Sequence, residues 1–280
     1  MSYQAIAVER RSDQVATITL LPRDPSRAGP RPNRHWELAN AFTELRADTR
    51  VRVIVLTGSG DQFSVPPHSR QRDDAASPAD LSREYPTDPV RAWHTMNGVI
   101  RTHQVMAEIE KPIVARVNGD AIGFGQTLVF AADIIVAVED ATIGDHHLGM
   151  GEIVPGGHNF GVVPGDGGTA LLPLYLSPPM AKEYLMLGRT FLASELAAIG
   201  AINYAVPREQ LDSTVEALVQ RLLKRPAHAL AWTKRVANRR VVEQLNATLD
   251  AGAAYEMVSF LQLERAGWQQ QRDFGTLDGS

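Results

Sequence analysis

Cysteine is absent from all 280 residues, which excludes a thiol nucleophile, a thiolate metal site and a disulfide framework. A bilayer-spanning apolar run is missing too, because the longest apolar region is interrupted by Gln126 and Asp133. The opening MSYQAIAVERRSDQ has no apolar core of the kind a secretory signal needs, so a cytoplasmic location is expected and membrane association is not. Positive charge is in short supply: 28 Lys and Arg against 32 Asp and Glu give a net charge of -4, which argues against a phosphate-neutralising surface. Nucleic acid is therefore not an expected partner. The one notable basic cluster, Arg235 to Arg240, reads as the solvated face of a helix. Low-complexity tracts and long repeats are also lacking. A chain of this length buries about 75% of the surface its unfolded form exposes, enough for a core with no covalent or metal staple.

What is present alternates. Ala5 to Glu9 and Val15 to Leu21 flank a polar RRSDQ and read as a hairpin, whereas His35 to Arg46 has helical spacing at Leu38, Phe42 and Leu45. Val51 to Thr57, Ile113 to Val117 and Ile134 to Val138 are short apolar runs rich in β-branched residues, the first two ending at glycine turns. Strands separated by helical stretches predict an α/β fold with a parallel sheet and crossover connections. The polar, proline-rich segment from Val65 to Pro89 reads as an exposed loop or lid. Downstream, Ser177-Pro178-Pro179 starts a helix that stops at Gly188, and Ser194 to Gly200, Leu211 to Leu223 and Val241 to Leu263 read as further helices. The expected organisation is a core over residues 1–205 and a helical region over 206–280.

Chemistry concentrates between Lys111 and Gly168, where glycine turns follow strand runs and His146, His147, Glu152, His158 and Asp166 crowd one polar stretch. Adjacent residues of an extended segment point to opposite sides, so only one of His146 and His147 is expected to face a site. Glu152 and His158 lie in a short insertion marked by the echo of Val154-Pro155-Gly156-Gly157 in Val163-Pro164-Gly165-Asp166, and read as surface groups or as pocket lining if the insertion folds over. Two roles are open to Asp166, a cap for the helix beginning near Gly167-Gly168-Thr169 or a partner for a histidine. His68, His94 and His103 lie in or beside the loop and are open to solvent or substrate. No zinc spacing is matched by the histidines, and neither a metal nor a cofactor is expected.

The order of motifs carries a resemblance. A strand leading to Gly58 and Phe63-Ser64, then KPIVARVNGDAIGFG, then AADIIVAVEDATIG, then VPGDGGTALL and LGRTFLASELAAIGAINYAVP, is similar to the crotonase (enoyl-CoA hydratase/isomerase) superfamily over roughly residues 1 to 240. The resemblance implies a spiral core of ββα turns with a helical C-terminal region, assembling as a homotrimer or hexamer. It also implies an oxyanion hole made of two backbone N–H groups, here of Val65 and of Phe124 in Gly123-Phe124-Gly125, which hold the negative charge of an enolate or tetrahedral species. Pro66 and Pro67, and Phe124 in place of a glycine, depart from the family pattern and imply an altered pocket. Family hydratases carry two glutamates at positions that read Thr127 and His147 here.

A histidine in place of the second glutamate, with Asp166 as its partner, resembles the oxocamphor hydrolase type of β-diketone hydrolase within that superfamily. Trp36, in His35-Trp36-Glu37-Leu38-Ala39, belongs to the same resemblance, and His146, Glu152, His158, Trp36 and His68 are implied as possible pocket residues. The implied reaction is hydrolytic retro-Claisen cleavage of a β-diketone or related 1,3-dicarbonyl, with His147 as base. One alternative is an acyl-CoA reaction, such as hydration or isomerisation, with His147 as sole acid and base and Arg70 against a CoA phosphate. Another is a non-catalytic binding or assembly subunit, motivated by the loss of both glutamates.

Overall fold

The computed structural model of the protein describes residues 3–22, 33–64, 88–148 and 161–265. Its first turn pairs β1 (Ile6–Arg10) antiparallel to β2 (Val15–Leu20), and α1 (Arg34–Ala47) then covers them. Asn33 caps α1 by accepting from the N–H groups of His35 and Trp36, which satisfies donors that the helix itself leaves open. The strand β3 (Val53–Gly58) is buried along its whole length, as expected for the interior of a parallel sheet. It is followed by α2 (Pro89–Glu108), started by Asp88 as cap and proline in the first turn. Next come β4 (Ile113–Val117), the short β5 (Ala121–Ile122) and α3 (Phe124–Phe130), then β6 (Ile134–Val138), β7 (Thr142–Gly144) and α4 (Gly168–Tyr175). Two strands and a helix thus recur along the chain.

The strands divide between two sheets. The larger has the order β1-β2-β3-β4-β6-β9, with β9 at Tyr204–Val206, and is parallel from β2 onward. The smaller has the order β5-β7-β8, with β8 at Thr190–Leu192. Helices α5 (Pro178–Leu187), α6 (Ala193–Ala198), α7 (Leu211–Leu223), α8 (Ala227–Ala237) and α9 (Arg239–Arg265) complete the chain. Gly188 ends α5 in the left-handed conformation, the stop expected of it.

One long element escaped the sequence reading. The helix α2 carries both His94 and His103, so neither lies in a loop, and its buried stripe of Ala92, Met96, Val99, Ile100 and Met106 packs against α1. Helix α9, part of the expected helical C-terminal region, packs on α2 and α4 of the core. Lys234 of α8 anchors the region further through a 2.6 Å ion pair with Asp133, whose carboxylate also accepts from the Ile113 N–H. Arginines 235, 239 and 240 are exposed as expected, but they straddle the break at Asn238 between α8 and α9 and do not share one helix face.

Candidate active site

Backbone clamps bring two loops together. Asn118, at the end of β4, accepts from the Gly58 N–H and donates to the carbonyls of Gly60 and Gln62, holding the loop after β3 against the loop after β4. Ser64 therefore bridges to Ala121, and the Ile122 N–H donates to its carbonyl at 2.8 Å. Both glycines of Gly123-Phe124-Gly125 are required by close approach. A Cβ on Gly125 would stand 2.5 Å from the Ser64 carbonyl oxygen, and one on Gly123, whose φ is +60°, would stand 2.2 Å from His146 Nδ1. Phe124 is the first residue of α3, so its N–H is one of the donors a helix start leaves without an internal partner. Val65, expected as the other donor, lies outside the described residues, as do His68, Arg70, Glu152 and His158.

The chain bends after β7, and the alternation expected of His146 and His147 ends with the strand. Both rings are buried, with centroids 4.4 Å apart. His147 is held twice by Asp145: its own N–H and its Nδ1–H both donate to Asp145 Oδ1 at 2.8 Å. Asp145 Oδ2 accepts from Gln126 Nε2 at 3.2 Å, and Gln126 Oε1 accepts from the Tyr184 hydroxyl at 3.2 Å. All four side chains are buried, so each polar link is shielded from water.

The orienting hydrogen bond to His147 thus comes from Asp145, not from Asp166. A short Asp-x-His turn reaches Nδ1 directly, while Asp166 approaches the other side of the ring, with Oδ2 3.9 Å from Nε2. Glu256 of α9 stands on that side as well, with Oε1 at 3.7 Å. At the start of α4 the N-cap is Gly167, which has no side chain to cap with, and the Gly168 N–H lies near enough to the Asp166 carboxyl to favour its charged form. Thr127 is buried and donates to the Phe124 carbonyl within its own helix. Trp36 stacks on His94 and donates its indole N–H to the His94 carbonyl at 2.7 Å, tying α1 to α2.

Electrostatics around His147 follow from these distances. Burial opposes a charged imidazole, but Asp145 and then Asp166 outweigh it and raise the His147 pKa well above its usual value. Burial likewise opposes charge on Asp145, yet His147 holds its carboxyl below the ordinary range. Asp166 is pushed up to about 8, chiefly by burial; His147 opposes this, and the charges of Glu256 and Asp145 reinforce it. Burial also raises Glu256, against the pull of His147. Asp145, His147 and Asp166, all buried, offer ligand atoms within 4.8 Å of one another.

A second histidine pair flanks Phe124. The rings of His35 and His103 meet its ring edge-on, at centroid distances of 4.2 and 5.7 Å. His103 Nδ1–H donates to the Val99 carbonyl, leaving Nε2 as an acceptor beside Gly167, where a Cβ would stand 2.7 Å away. Burial lowers the pKa of His103 to about 4, and burial with the nearby Arg34 charge lowers that of His35 to about 3.

Sequence reasoning missed Asp145, Glu256 and His35. Asp145 had a local signal, an acid two residues before a histidine at a strand end. For Glu256 the signal was an acid within the buried stripe Leu245, Leu249, Ala253, Glu256, Phe260 of one amphipathic helix.

Comparison with known proteins adds a family. The family model described as enoyl-CoA hydratase/isomerase matches residues 10–266. The crotonyl-CoA hydratase of Syntrophomonas wolfei is 25% identical over 260 residues, covering 93% of this chain and 90% of that protein. A solved enoyl-CoA hydratase/isomerase from Mycobacterium paratuberculosis is 28% identical with a TM-score of 0.75, over 92% of this chain and 94% of the other. A β-diketone hydrolase from the cyanobacterium Anabaena, solved with (S)-3-oxocyclohexyl acetic acid bound, is 22% identical with a TM-score of 0.76, over 94% and 96%. That last likeness is one of fold.

Proposed function

Because the chain belongs to the enoyl-CoA hydratase/isomerase family and has the crotonase fold, we propose that it is an enzyme that cleaves a β-diketone or related 1,3-dicarbonyl by hydrolytic retro-Claisen reaction. The observation that carries this reading is the acid–base residue itself. One buried imidazole, locked at Nδ1 by Asp145, stands where family hydratases carry a glutamate, and the other glutamate position is an inert Thr127. A carboxylate pair suited to adding water across a double bond is missing from those two positions. A single histidine suits a reaction in which one proton leaves water and returns to carbon.

With Nδ1–H donated to Asp145, the neutral ring presents the Nε2 lone pair. Nε2 takes a proton from water, and the oxygen adds to one carbonyl carbon of the substrate. The bond from that carbon to the central carbon breaks, and its electron pair becomes the enolate of the remaining ketone. The N–H groups of Val65 and Phe124 hold the enolate oxygen, an arrangement whose removal typically costs about 3 kcal/mol per donor. Imidazolium Nε2–H then protonates the central carbon, and the products are a ketone and a carboxylic acid that loses its own proton to solvent. Asp166 in this reading acts from the Nε2 side.

The names of the relatives favour a second reading, an acyl-CoA substrate with His147 as sole acid and base and Arg70 against a CoA phosphate. Assembly as a homotrimer or hexamer is part of the proposal and is supported by exposed Trp232, Val236, Tyr255 and Val258 on α8 and α9. A cytoplasmic location is proposed with it; no described helix is long and apolar enough to cross a membrane. Purified protein and its His147→Ala variant, each incubated with a bicyclic β-diketone and with crotonyl-CoA, test the reaction by mass spectrometry. Diketone cleavage lost in the variant supports it. Turnover of crotonyl-CoA alone overturns it in favour of the second reading, and inertness toward both substrates favours a binding role.

A further inference from the structure

Helix α9 reaches the site through a contact between two glycines. A Cβ on Gly165 would stand 2.1 Å from the Gly252 carbonyl oxygen, and one on Gly252 would meet Thr169 Oγ1 at 3.1 Å and Gly165 Cα at 3.3 Å. Side chains at these positions would hold α9 away from the turn that precedes α4. Four residues after Gly252, about one helical turn along the same face, lies Glu256, with Oε1 3.7 Å from His147 Nε2. Asp166, next to Gly165, brings Oδ2 to 3.9 Å from the same nitrogen. The Gly168 N–H lies near the Asp166 carboxyl and the Gly165 N–H near that of Glu256, but the second oxygens, Asp166 Oδ1 and Glu256 Oε2, are buried and not met in hydrogen-bond geometry. Native interiors retain few such orphans, and those they retain call for a role.

We infer that Glu256 is a positioning residue of the acid–base site, forming with Asp166 a proton-sharing carboxyl pair on the Nε2 side of His147 that sets how tightly the imidazole holds its proton. The inference rests on the proposed role of His147 as the base. The groups facing that ring are Asp145 and His146 from the bend after β7, Asp166 from the turn before α4, and Glu256 from α9; Tyr184 of α5 acts through Gln126 and Asp145. Two buried carboxyls beside one nitrogen do not both ionise, so one keeps a proton while the other faces the imidazolium. The upward shifts of Asp166 and Glu256 agree with such sharing. When Nε2 takes the proton of water, the ionised member stabilises the cation that forms. Glu256 does this without touching the substrate.

The test is an NMR titration of the His147 imidazole in the full chain, in wild type, Glu256→Gln and Glu256→Asp. The glutamine variant, near-isosteric but unable to ionise, is expected to lower the His147 titration by about one unit or more. Glu256→Asp is expected to fall between that variant and wild type. An unmoved His147 in the glutamine variant overturns the inference. Should that variant fail to fold, the wild-type ring shifts decide. A second inflection from a neighbouring carboxyl supports the pair, and a single inflection overturns it. The titration uses no substrate, so absence of diketone turnover would sink the proposed reaction and leave this result standing. Where turnover is found, the pH limb of kcat/KM is expected to move with the NMR shift.

Discussion

His147 and His103 are both deeply buried, yet the protein drives their proton affinities in opposite directions. His103 faces Phe124 and a backbone carbonyl, and burial lowers its pKa to about 4. His147 pays the same desolvation penalty but meets Asp145 at 2.8 Å on one side and two carboxyls at 3.7 and 3.9 Å on the other, and its pKa rises. Burial by itself favours a neutral imidazole; a carboxylate within hydrogen-bond reach reverses the preference because, inside the protein, the attraction is weakly screened. The same side chain therefore holds a proton in one region and stays neutral a short distance away, around the single turn that contains Asp166 and Gly167.

Removing the anion from Nδ1 is the hardest blow to this contrast. Asp145→Asn is expected to bring the His147 titration down toward that of His103, and to lower kcat/KM for the diketone by roughly 10²–10⁴-fold, the usual worth of a positioned general base. NMR titration together with the product assay checks both; an unchanged rate with a lowered titration would separate proton affinity from turnover. In wild type the active neutral ring forms only as pH rises through the raised His147 pKa, so the ascending limb of kcat/KM is expected above the ordinary histidine value of about 6.5.

Stability should show the opposite signs. His103 has a folded pKa of about 4, below its unfolded value, so its contribution is present above about pH 6.5 and is lost as pH falls toward 4. That loss amounts to about 3 kcal/mol, and His103→Leu is expected to flatten the acid limb when denaturant unfolding at pH 7 is compared with pH 4. For His147, whose folded pKa is raised, the contribution is present below the unfolded value and is lost as pH climbs through the folded one. An acid limb equally steep in the His103 variant would break the comparison on that side.

Smaller effects sharpen it. Gly165→Ala drives a methyl into the Gly252 carbonyl and is expected to destabilise the fold by about 1–3 kcal/mol while drawing Glu256 away from His147. Thermal unfolding measures the first and the His147 titration the second. Tyr184→Phe removes the last link of the chain through Gln126 to Asp145, with an expected loss of about 1 kcal/mol by denaturant unfolding.

Much of the fold was legible. The hairpin, the three buried parallel strands and the helices at Leu211–Leu223 and Val241 to Leu263 follow from local spacing and appear where expected. Helix α2 is announced by Asp88-Pro89 and an apolar stripe, but the polar, proline-rich sequence ahead of it signals irregular structure and obscures that start. In the site, His147 was picked out by its register in the ATIGDHH motif, whereas its hydrogen-bond partner was assigned to the distant Asp166 instead of the adjacent Asp145. The expected divergence of His146 and His147 assumed a strand that had already ended at Gly144.

Alternation, turn glycines and capping residues act over a few positions, so the order of residues alone determined the strands and the glycine-lined loop at Gly123-Phe124-Gly125. Which carboxyls surround that imidazole was decided by tertiary packing. Gly165 had to meet Gly252 before α9 could carry Glu256 to within 3.7 Å of Nε2. Proton affinity depends on distance and on exclusion of water, and neither exists until helices from remote parts of the chain have closed over the ring.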